Sequence, residues 1–102
     1  MLSICITTHN NNLESLINRL LEQCNLLDIK TEICIADASF EPVLQEINST
    51  IAKSTGARYY KFSSRATQGK MKNHLALKAQ YPYLLFVNGN MYITHKKFLQ
   101  NY

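Results

Sequence analysis

Apolar residues recur along this chain in two alternating rhythms. Residues 2–7, Leu-Ser-Ile-Cys-Ile-Thr, form a short run rich in β-branched side chains, and the polar stretch Thr8-His-Asn-Asn-Asn12 ends it. That pattern predicts a buried strand with a loop behind it. Leu13, Leu16, Ile17, Leu20, Leu21 and Cys24 then return at helical spacing and predict one apolar helix face. Asn11, with Glu14 three positions on, resembles a capping box for that helix. Glu32-Ile-Cys-Ile-Ala36 is a second buried run, closed by Asp37-Ala-Ser39. Pro42 suits a helix's first turn, Val43, Leu44, Ile47 and Ile51 give its face, and Gly56 stands where it would stop. A third strand is expected over 57–62, a polar loop over 63–68, and a weaker helix over 69–79 with Met71, Leu75 and Ala79 on one side. Tyr83-Leu-Leu-Phe-Val87 reads as the fourth strand, closed by Asn88-Gly-Asn90, and Thr94 as the cap of a last short helix over 94–100.

Strands alternating with helices in this way predict a parallel sheet with right-handed crossovers. Ligands of such sheets sit beyond the carboxyl ends of the strands, near the point where strand order reverses. The residues expected there are Thr8, His9 and Asn10, then Asp37, then Ser63 and Ser64, then Asn88 to Asn90.

Composition narrows the classes. With 102 residues, 46% hydrophobic and 18% charged, the chain is expected to be one globular domain over 1–102. No apolar run is long enough to span a bilayer, and the first residues lack a basic leader and a cleavage site, so a cytoplasmic protein is expected. Cys5, Cys24 and Cys34 fall within apolar patterns and without a Cys-x-x-Cys spacing, as reduced core residues would. Charge changes the picture more. All seven carboxylates lie in the first 51 residues, beside only Arg19 and Lys30, and the remaining residues carry nine Lys or Arg and no acid. The halves are therefore −5 and +9, an imbalance that suits an anionic partner. The same count leaves the second half without a side-chain carboxylate to act as general base or metal ligand.

Three glycines cannot supply a Gly-x-Gly-x-x-Gly fingerprint after the first strand, and Gly69-Lys70-Met71 lacks the partner glycine and hydroxyl of a P-loop. Four other segments carry a resemblance. Leu2-Ser-Ile-Cys-Ile-Thr-Thr-His-Asn10 is similar to the opening strand of family-two glycosyltransferases, written V-S-I-I-I-P-T-Y-N, with Thr7 and His9 where Pro and Tyr are typical. Glu32-Ile-Cys-Ile-Ala-Asp-Ala-Ser39 resembles their E-I-I-V-V-D-D-G-S segment, with Asp37 on its first aspartate. Gly69-Lys-Met-Lys-Asn73 resembles G-x-x-x-A-R-N, with Lys72 and Asn73 in the Arg-Asn places, and Tyr83-Leu-Leu-Phe-Val-Asn-Gly-Asn90 resembles Y-I-L-F-L-D-x-D. The four follow in order and cover nearly the whole chain.

The resemblance implies a Rossmann-like three-layer α/β/α domain, a truncated GT-A fold whose four-stranded, mostly parallel sheet runs in the order 3-2-1-4. It implies a nucleoside diphosphate sugar, UDP- or GDP-linked, held by Thr8, His9, Asn10 and Asp37 around the nucleoside. Lys72 and Asn73, with Arg65 and Lys70, would lie towards the diphosphate, and Asn88 and Asn90 stand at the D-x-D positions. That family motif binds Mn2+ or Mg2+, and two amides in place of two acids weaken any such site, because an amide oxygen brings no charge. Each assignment has a plainer alternative. Asp37 can be a turn-forming acid, Lys70 and Lys72 a solvated helix face, and Asn88-Gly89-Asn90 an ordinary turn. The family's second half supplies the acceptor site and the base, so three functions remain open: a hexosyltransferase or its donor-binding part, a non-catalytic descendant used for binding or assembly, and a small basic nucleic-acid-binding domain. The last rests on Tyr59, Tyr60 and Phe62 interleaved with Arg58 and Lys61, which alternation along a strand explains equally well, and nucleic acid is the least favoured partner. A homodimer across an uncovered fourth strand is a further expectation.

Overall fold

In a computed structural model, residues 1–26 and 29–89 are described, and they build seven elements. These are β1 (Leu2–Thr8), α1 (Glu14–Asn25), β2 (Thr31–Asp37), α2 (Pro42–Thr55), β3 (Arg58–Lys61), α3 (Gln68–Lys78) and β4 (Tyr83–Asn88). The strands form one sheet in the order β3-β2-β1-β4, and every pairing is parallel. The expected architecture and strand order are those observed. The short helix expected over 94–100 lies outside the described residues.

Period-two alternation divides each strand's side chains between two layers. Ile4, Ile6, Ile33, Ile35, Leu85 and Val87 meet Leu13, Leu16, Ile17, Leu20 and Ala52 of the α1 and α2 side. Cys5, Cys34 and Ala36 project the other way and meet Met71 and Leu75 of α3. β1 and β2 are nearly continuous apolar runs because both of their faces are covered, as parallel strands require. Burial pushes the Cys34 thiol up to about 12 and the Cys5 thiol to about 11, with the Glu32 charge adding to both, so these two residues behave as small apolar fillers.

Helix ends follow local chemistry. Pro42 opens α2, and Gly56 closes it at φ 77°, a left-handed conformation that suits a residue without Cβ. Thr67 caps α3, its Oγ1 accepting from the Lys70 amide at 3.2 Å. The capping box expected at α1 does not form. Leu13 occupies the cap position without a side-chain cap bond, and its amide donates instead to Asn48 Oδ1 at 3.0 Å. The Glu14 amide donates to Asn12 Oδ1 at 2.9 Å, so the local acceptor is Asn12 and not Asn11, and a tertiary acceptor from α2 holds Leu13.

At the amino ends of the strands, Glu32 fastens the turn between α3 and β4. Its Oε2 accepts from Ser3 Oγ at 2.6 Å and from the Gln80 amide at 2.5 Å, and Arg58 Nε stands 3.6 Å from Oε1. Arg58 also donates to the Lys78 carbonyl at 2.8 Å.

Candidate functional site

Strand order reverses between β1 and β4, where the crevice of such a sheet lies. Thr8 pairs with Asp37 and Thr7 with Asn88, so the carboxyl ends of β2, β1 and β4 stand level, one ladder spacing apart. Three loops then cross-tie above them. Asn10, at φ 59°, accepts from the Phe40 and Glu41 amides through Oδ1 at 2.9 and 3.3 Å, and its own amide donates to Ser39 Oγ at 2.8 Å. A non-glycine residue in that backbone region is uncommon, and asparagine tolerates it best. His9 Nε2 lies 3.2 Å from the Ser64 carbonyl, which ties the β1 loop to the β3 loop. Thr7 Oγ1 donates to Gln68 Oε1 at 2.8 Å and ties β1 to the first turn of α3.

Asp37 is fully buried. Its Oδ1 accepts from the Ser39 amide at 2.9 Å, and its Oδ2 accepts from Tyr59 Oη at 2.6 Å and from Asn48 Nδ2 at 3.3 Å. Burial and the bond to Asp37 raise the Tyr59 phenol well above its ordinary value, so it stays a neutral donor. Asn48 is fully buried as well, and its remaining bond runs to the Asn11 carbonyl at 2.9 Å. Asp37 and Asn48 together hold the β1 and β2 loops, and the carboxylate faces protein donors on both oxygens and no solvent.

The other expected residues divide. Thr8 is buried, and its Oγ1 has no hydrogen-bond partner. Gly89 presses on it: a Cβ there would stand 2.5 Å from Thr8 Oγ1 and 2.6 Å from Thr8 Cβ, so the end of β4 approaches β1 only because residue 89 has no side chain. Asn88 is exposed at the end of β4, and Asn90 lies outside the described residues. Lys72 holds its ammonium 5.9 Å from the Phe86 ring centroid, in the middle of β4's pairing with β1 and not at its carboxyl end, and Asn73 is exposed on α3. Arg65 and Lys70 line a hollow of about 380 Å³ with Phe62, Ser63, Ala66 and Thr67, beside the amino end of α3. No side-chain carboxylate lines it. Two cations and a helix amino terminus make this ground that favours an anion.

Sequence reasoning missed Asn48, Ser39 and the Tyr59 hydroxyl. Asn48 sits mid-helix where asparagine has no local reason to be, which was the one available signal. The aromatics of β3 and its loop serve both layers: Tyr59 packs towards α1 and α2, whereas Tyr60 and Phe62 meet the His74 ring edge-on at 4.8 and 5.2 Å. Each of these half-buried rings has a partner inside the domain.

Among the described residues no three His, Cys, Asp or Glu side chains cluster as metal ligands, and no helix is long and apolar enough to cross a membrane. No family model matches the chain, and neither does any curated protein. Solved structures do. A crystal structure of Staphylococcus aureus TarS superposes with a TM-score of 0.62 at 22% identity, over 98% of this chain and 18% of that one. TarS 1-349 matches with a TM-score of 0.55 at 24% identity, and TarS 1-349 in complex with UDP-GlcNAc with 0.54 at 21%. Each covers 97% of this chain, which spans 30% and 29% of those two. The chain thus shares the α/β fold of part of TarS and corresponds in length to less than a third of the TarS chains it matches.

Proposed function

We propose that this chain is the donor-binding part of a glycosyltransferase, taking a UDP- or GDP-linked sugar across the carboxyl ends of β1, β2 and β4. One observation carries the reading. The sheet reverses order where Thr8 pairs with Asp37 and Asn88 pairs with Thr7, and the loops above are cross-tied by His9 and Asn10 next to an acid-free hollow holding Arg65 and Lys70. The four sequence resemblances to family-two glycosyltransferases fall on the same strands, and a TarS structure of like fold holds UDP-GlcNAc.

In this reading Asp37 acts mainly through its partners, keeping Ser39, Asn48 and Tyr59 in place so that the loop residues His9 and Asn10 face the nucleoside. Arg65 and Lys70 offset the diphosphate charge. The donor set does not suit a firmly held Mn2+ or Mg2+: Asn88 offers an uncharged amide, and no acid follows Glu46 in the chain.

Transfer to an acceptor needs a group to take the hydroxyl proton. No carboxylate lines the hollow beside the amino end of α3 for that, and this favours a second reading, a domain that binds the sugar nucleotide without turning it over. Calorimetric titration with UDP and GDP, in EDTA and in Mn2+, tests both. Binding of at least one nucleotide that is unchanged by EDTA supports the proposal, and no heat or thermal shift at millimolar nucleotide removes it. Hydrolysis of a bound sugar nucleotide by the isolated chain would remove the second reading. A dimer through the outer edge of β4, where Tyr83 and Phe86 are exposed, is checked by sedimentation, and a monomer at all concentrations sinks that part.

A further inference from the structure

Asp37 belongs to the domain's internal bonding, so the base of a bound nucleotide must be held by something else. We infer that Phe40, with His9 beside it, is the stacking platform for that base. This rests on the nucleotide-binding reading and adds a residue that none of the four resemblances picks out.

Phe40 follows Ser39 directly at the mouth of the β2 loop and is 57% exposed, although its neighbours Ala38 and Ser39 are buried. It joins neither core cluster. A residue just before a helix cap can staple onto an apolar residue at the helix's fourth position, but that position in α2 is Gln45, whose amide donates to the Ser39 carbonyl instead. The ring therefore has no packing role on the α2 side. What it has is a fixed base: its amide is held by Asn10 Oδ1, from a residue in left-handed conformation. Its ring partner among the described residues is His9, with centroids 6.0 Å apart and planes at 60°, and His9 is pinned in turn by the Ser64 carbonyl. Edge contact of this kind leaves an aromatic face open to a third ring. Two exposed rings, each tied through a hydrogen bond to a different loop, flank the strand ends on the way to Arg65 and Lys70. Stacking is tolerant of base identity because every base presents a π-face, so the platform fits a nucleoside diphosphate of either base class.

The chain contains no tryptophan, so Phe40→Trp introduces a single reporter at the platform. The experiment titrates UDP, GDP and inorganic pyrophosphate into wild type, Phe40→Ala and Phe40→Trp, after melting curves have confirmed that each variant folds. Stacking predicts that Phe40→Ala weakens the bound nucleotide by about 5- to 100-fold and leaves pyrophosphate within about two-fold of wild type. It also predicts that nucleotide, and not pyrophosphate, quenches the Trp emission. Nucleotide binding that is the same in wild type and Phe40→Ala, with no quenching, overturns the platform and leaves the nucleotide-binding reading intact. Equal weakening of nucleotide and pyrophosphate overturns it too, since the effect would then be on the loop and not on the base. If wild type binds neither nucleotide, both fall together.

Discussion

Removing the amide of Asn48 should cost this domain a large share of its stability, although the residue is polar. In Asn48→Ala three bonds disappear at once. The Leu13 amide loses its acceptor at the start of α1, the Asn11 carbonyl loses its donor, and Asp37 Oδ2 keeps Tyr59 alone. Leu13 and Asp37 are fully buried, so the groups left behind are not rescued by solvent. A buried polar group without a partner costs about 1–3 kcal/mol. Two such groups, with some relaxation, give a loss of roughly 3–4 kcal/mol. Domains of this size have about 5–15 kcal/mol in total, and each kcal/mol moves the melting temperature by about 4–8 °C. Urea unfolding followed by circular dichroism should therefore show the midpoint falling sharply with an unchanged slope. Asn48→Asp separates bonding from volume. It keeps an acceptor for Leu13 but sets a second carboxylate against Asp37, so its defect should shrink as pH falls towards 4, whereas that of Asn48→Ala should not. A shift under about 1 kcal/mol for Asn48→Ala would refute the claim that this residue ties the two loops.

Other outcomes follow from the same contacts. The Glu32 carboxyl is raised by burial, but the bonds from Ser3 and Gln80 and the Arg58 charge outweigh this and hold it below its ordinary value of 4.5. A depressed folded value means stability that is present above about pH 4.5 and lost as pH falls through the folded value, so the gap between wild type and Glu32→Gln should close in acid. Gly89→Ala should destabilise by about 1–3 kcal/mol, because the new Cβ collides with buried Thr8, and melting curves measure it directly. Thiol titration of the native protein should label Cys24 first, with Cys5 and Cys34 reacting only on unfolding, since burial raises those two most.

The sheet was legible in the sequence because β1 and β2 are short β-branched runs closed by polar residues and α2 carries its own punctuation at Pro42 and Gly56, whereas the Thr67 cap of α3 lay inside the expected loop. What sequence reading could not see were bonds made between elements. Asn11 and Glu14 looked like a local cap, yet Leu13 reaches across to Asn48 on α2, 35 positions on. Asp37 looked like a free acceptor at a strand end, yet a phenol from β3 and an amide from α2 close over it. Lys72 matched a family position by alignment of letters, but helical phase turns it over Phe86. In each case spacing gave the element and the neighbour on another element decided the side chain's use.

The central claim is a nucleotide cleft at the carboxyl ends of β1, β2 and β4. Amide chemical shifts of the labelled chain, recorded during titration with UDP and GDP, test it most directly. The account predicts saturable changes confined to residues 8–10, 39–41, 63–70 and 88–89, with the amino-end network around Ser3, Glu32 and Gln80 unmoved. Changes centred on that opposite end, or none at millimolar nucleotide, would contradict it.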